Sequence, residues 1–79
     1  HLEGVKVTAD GKEVTVSMND DLTSGSTLNV YNLLGQSVYN QPLDAKTVKV
    51  AFDEQPMGYY LVSVKNNNKV TTKRVYIGQ

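Results

Sequence analysis

GYYLVSVKNNNKVTTKRVYI, residues 58–77, decides the fold. Tyr60, Val62 and Val64 alternate with Leu61, Ser63 and Lys65. A period of two puts one set of side chains on a core and the other in water, as in a half-buried strand. Asn66-Asn67-Asn68 then breaks the run, and Asn tolerates the left-handed backbone of a tight turn better than other residues with a side chain. After the turn, Lys73, Val75 and Ile77 share one face by the same period. The stretch therefore reads as two antiparallel strands joined at Asn66–Asn68. Tyr59 and Tyr60 are neighbours and must point to opposite faces, so only one of them enters the core.

The same alternation returns upstream. Val5, Val7 and Ala9; Val14, Val16 and Met18; Leu28 and Val30; and Val48, Val50 and Phe52 each alternate with polar or smaller residues. No stretch of about 11 residues holds apolar residues at helical spacing. Turn signals separate the runs. Asp10-Gly11 marks a two-residue hairpin. Residues 19–26, NDDLTSGS, form a polar loop, and Asn32 to Gly35 reads as a type I turn with Gly at the left-handed position. Pro42 to Lys46 and Asp53 to Met57 interrupt the two remaining connections. Seven strands result, near residues 4–9, 13–18, 27–32, 36–41, 47–52, 58–66 and 69–77. Short strands at even spacing predict an all-β, seven-stranded antiparallel immunoglobulin-like β-sandwich.

Length and composition narrow the function. The 79 residues allow one domain and leave no room for a deep cleft beside a full core. Eight basic and eight acidic residues give a formal net charge of zero, which speaks against a nucleic-acid partner. No apolar run approaches the roughly 18–20 residues of a membrane-spanning helix. Cysteine is absent and the one histidine is His1, so neither a Ser-His nor a Cys-His nucleophile pair is available. The expectation is a domain that is not an enzyme and that takes no cofactor, no metal and no small-molecule substrate. The sharpest metal alternative is calcium held by Asn19, Asp20 and Asp21, but their spacing matches no calcium loop. His1-Leu2-Glu3 reads as a tag remnant, leaving residues 4–79 as the domain.

Three segments carry a family resemblance. LNVYNLLGQSVY, residues 28–39, is a strand, a short turn ending in Gly35, and a strand. Pro56, Gly58 and Tyr60 make a Pro-x-Gly-x-Tyr pattern at the head of the next strand. KVTTKRVYI, residues 69–77, closes the chain with Lys73, Val75 and Ile77. In this order and spacing they resemble the C-terminal sorting domain of Bacteroidetes type IX secretion. Two departures are small: Gln36 stands where many members carry Arg, and Gly78-Gln79 run slightly past the usual end.

The resemblance implies a non-catalytic signal that directs a cargo protein across the outer membrane. It implies recognition by the outer-membrane translocon, removal by a sortase-like peptidase, and passage through the periplasm to the cell surface or medium. Its motif residues here are Gly35, Pro56, Gly58, Tyr60, Lys73, Val75 and Ile77, each of which also has a plain role in folding. A monomer or weak dimer is expected. The runner-up is an accessory carbohydrate-binding or structural β-sandwich, for which outward Tyr31, Tyr59 or Tyr76 would supply a stacking surface.

Overall fold

The computed structural model describes residues 4–19, 21–66 and 68–78. Seven strands follow in order: β1 (Val5–Asp10), β2 (Glu13–Met18), β3 (Thr27–Tyr31), β4 (Ser37–Pro42), β5 (Thr47–Ala51), β6 (Gly58–Asn66) and β7 (Lys69–Ile77). All pairings are antiparallel. One sheet has three strands in the order β1-β2-β5, and the other has four in the order β4-β3-β6-β7. The chain changes sheet after β2, after β4 and after β5, which makes an immunoglobulin-like sandwich from three hairpins and one lone strand.

The inward residues of both sheets meet in one core. β2 contributes Val14, Val16 and Met18, β3 contributes Leu28 and Val30, and β6 contributes Tyr60, Val62 and Val64. Val5, Val50, Val75 and Ile77 complete the layers, while Leu43 and Phe52 close the sides from the connections. Each fully buried aliphatic side chain contributes about 1.5–3 kcal/mol by leaving water. The alternation in the sequence thus identifies the core in β2, β3 and β6 residue by residue. It weakens along β1, where Val5 is buried, Val7 half-buried and Ala9 exposed at the hairpin end.

Strand ends move by a residue where a turn claims the chain. Gln36, expected in a strand, belongs to the turn before β4. The Asn32 carboxamide oxygen accepts the backbone N–H groups of Leu34 and Gln36, both at 2.9 Å. Gly35 N–H closes the turn on the Asn32 carbonyl at 3.0 Å. Gly35 has φ of 88°, a left-handed backbone that an L side chain adopts only at a cost. Phe52 likewise falls just past β5. Its N–H donates to the Lys12 carbonyl at 2.8 Å, and its ring meets Tyr39 edge to face at 5.4 Å.

Asn66 does more than begin a hairpin tip. Its side chain is buried and holds the β2–β3 loop. The Asn66 carboxamide oxygen accepts from Thr23 N–H at 3.1 Å, Thr23 Oγ1 at 2.9 Å and Ser26 Oγ at 2.7 Å. Its Nδ2 donates to the Asp21 carbonyl at 3.1 Å. The tip itself is a two-residue turn between Asn66 and Lys69, with Asn68 at φ 67°. Asn67 lies outside the described residues.

Candidate functional site: the terminal hairpin

β6 and β7 pair along their full nine residues, so the terminal hairpin is the longest element of the fold. It also gathers most of the residues singled out in the sequence. Gly58 sits opposite Ile77, Tyr60 opposite Val75, and Val62 opposite Lys73. Tyr60, Val75 and Ile77 are buried, and the Tyr60 hydroxyl donates to the Pro56 carbonyl at 2.6 Å. That bond satisfies the phenol while its ring fills the core. Pro56 ends the β5–β6 connection, and Gly58, with φ of 156° and open space where a Cβ would stand, lets the chain turn into β6. Lys73 lies on the same face as Val75 and Ile77 but past the core, so it is exposed.

Gly35 stands apart from this group. It belongs to the β3–β4 turn, at the same end of the four-stranded sheet, because Tyr31 of β3 pairs with Leu61 of β6. The structure therefore brings Pro56, Gly58, Tyr60, Val75 and Ile77 together, sets Lys73 further along β7, and leaves Gly35 on a neighbouring turn.

β7 is an edge strand of its sheet. Beyond its own hairpin, one backbone bond anchors it among the described residues: Gly78 N–H donates to the Gly11 carbonyl of the β1–β2 turn at 2.8 Å. Lys12 of that turn reaches across the same end, its ammonium donating to the carbonyls of Asp53 and Gln55, each at 3.2 Å. The last strand thus lies beside β1 of the first hairpin and is joined to that hairpin by this one backbone bond among the described residues.

The outer face beside this edge carries Tyr59, Tyr76 and Arg74. Tyr59 and Tyr76 are cross-strand partners with rings 5.2 Å apart at 72°, an edge-to-face pair. The Arg74 guanidinium lies 5.1 Å over the Tyr59 ring. Cross-strand packing accounts for this aromatic pair, and crossed ring planes do not make the flat platform on which a sugar ring stacks. Tyr31 is half-buried.

The calcium reading of Asn19, Asp20 and Asp21 falls partly outside the described residues, at Asp20. The Asp21 carboxylate pairs with the Lys46 ammonium at 3.0 Å. Among the described residues, no group of three or more His, Cys, Asp or Glu side chains could hold a metal ion. The sequence marks Asn66 only as part of the hairpin tip, and it does not single out Arg74. The buried contacts of Asn66 have no local signal because their partners lie far away in the chain, whereas an Arg beside a tyrosine-bearing strand is a visible signal.

Comparisons with known proteins agree with this geometry. The solved structure of a biofilm-associated protein's BSP domain superposes with a TM-score of 0.72 at 16% identity. The match covers 99% of this chain and 15% of that one, and at this identity it speaks for the fold alone. No curated protein matches the chain. A family model, the secretion system C-terminal sorting domain, matches residues 10–78, which span β2 to β7 and every motif residue named above. The chain belongs to that family: it is a C-terminal sorting signal for type IX secretion.

Proposed function

We propose that the domain is a folded, non-catalytic address read through β7. One observation carries this reading: β7 is a nine-residue edge strand that holds Lys73, Val75 and Ile77, with its outward side bonded to the rest of the domain only near Gly78 among the described residues. Such an edge is a template on which a partner adds a strand. The reader is the outer-membrane translocon, met from the periplasm, and a sortase-like peptidase removes the domain after transfer to the surface. In this reading Gly35, Pro56, Gly58 and Tyr60 set the shape that presents the strand. Lys73 is its polar contact, and Val75 and Ile77 seat it on the core.

The test is export of a reporter. The full chain is fused behind a signal peptide and a fluorescent protein in a Bacteroidetes host. Signal outside wild-type cells, and trapped in the periplasm of a strain lacking the type IX translocon, is expected. Removing residues 73–79 should trap the fusion in both strains, and normal export of that truncation would refute the role given to β7.

A further inference from the structure

The net charge of zero conceals a separation. All eight acidic residues occur at or before Glu54. β3, β4, β6 and β7 contain no Asp or Glu, but they carry Lys65, Lys69, Lys73 and Arg74. Four of the eight basic residues therefore stand on one sheet, and all four are exposed. Three of them lie on β7 itself.

Their placement follows the strand period. Lys69 and Lys73 share one face of β7, and Arg74 points to the other. Stacking on Tyr59 holds the Arg74 cation against the outer face. Gly78 N–H points away from β6, toward Gly11, so by the alternation of an antiparallel ladder the backbone groups of Val70, Thr72, Arg74 and Tyr76 also point outward. A strand added here would run between cations on both of its faces. Opposite charges on neighbouring strands attract, and like charges directly opposite repel.

We propose that the β7 edge takes an acidic, extended protein segment as its added strand. The inference rests on the sorting role proposed above and specifies the chemistry of the reader. A bland reading exists: lysines on a sheet edge deter edge-to-edge aggregation. The two readings differ in sign. An edge guard works equally well with either charge, whereas an acidic reader requires cations.

The decisive variant is Lys69→Glu with Arg74→Glu, which leaves the motif residues untouched. Its control is Lys6→Glu with Lys49→Glu, an equal charge change at exposed positions of the other sheet. In the reporter assay the β7 variant should be trapped in the periplasm and the control exported. Export of the β7 variant at the wild-type level overturns the inference, and so does trapping of both variants. Retention of the unmodified fusion would instead strike the sorting role itself.

A second measurement needs no variant. The purified chain is titrated with a short peptide of alternating Glu and Val, and separately with its Lys-and-Val counterpart, while backbone amide resonances are followed. The acidic peptide should shift Val70, Thr72, Arg74 and Tyr76, and raising salt from about 0.05 to about 0.5 M should weaken it about tenfold. Equal binding of the basic peptide, or no shift with the acidic one, overturns the inference.

Discussion

Asn66 shows how much one polar side chain can organise. Its oxygen and nitrogen together make four hydrogen bonds to the β2–β3 loop from a buried position. Asn66→Ala removes the shared acceptor of three donors, one of them the buried Ser26 hydroxyl. The expected loss is about 2–4 kcal/mol, measured by urea unfolding of the purified domain. Tyr60→Phe is a smaller change. It deletes only the bond to the Pro56 carbonyl and keeps the ring in the core, so about 1 kcal/mol should be lost. Gly35→Ala meets no atom within contact distance, and its cost, about 1–2 kcal/mol, is backbone strain alone. These roles were unequally legible. Gly35 and Tyr60 announce themselves by turn chemistry and alternation. Asn66 does not, because its partners are some forty positions away, as Ser26 is.

At the scale of the element, β7 has two kinds of backbone position. Thr71 pairs with Val64 across the hairpin, and the alternation places its N–H toward β6. Thr72 N–H points away from β6. Thr71→Pro should cost about 3 kcal/mol or more through a lost ladder bond, seen as a large drop in melting temperature. Thr72→Pro should leave a folded domain, because proline is tolerated on the outward side of an edge strand. If a partner adds at this edge, the Thr72 variant folds and yet fails to be exported. A folded, exported Thr72→Pro domain would count against strand addition. The strands themselves were legible because a period of two is local. Their ends were less so: Gln36 and Phe52 leave the strands because Asn32 and Lys12 bind their backbone groups.

Over the whole molecule, what the sequence conceals is the pairing of distant strands. β2 joins β5, and β3 joins β6, with other strands intervening in the chain. Hydrophobic patterning says which faces are apolar but not which strand lies beside which, so the sandwich was legible and its strand order was not. The charge separation is the opposite case. It stands in plain view after Glu54, yet a sum over the whole composition cancels it. That sum hides a basic sheet, because the fold places Lys65, Lys69, Lys73 and Arg74 on the two faces of a single sheet. At neutral pH and low ionic strength the purified domain should therefore be held by cation and anion exchangers alike, despite a sequence pI near 6.8. Salt at about 0.15–0.3 M should release it from both, since screening then acts within roughly 8 Å. Failure to bind either resin would show the separation too weak to act at a distance.

The bond between Gly78 and Gly11 has a meaning for synthesis. β7 is the last of the seven strands along the domain, and it supplies Val75 and Ile77 to the core before Gly78 reaches back to the first turn. A polypeptide that stops early lacks these pieces, so it holds neither the closed sandwich nor the strand on its flank. The label thereby doubles as a receipt: only a chain made through β7 carries a readable destination.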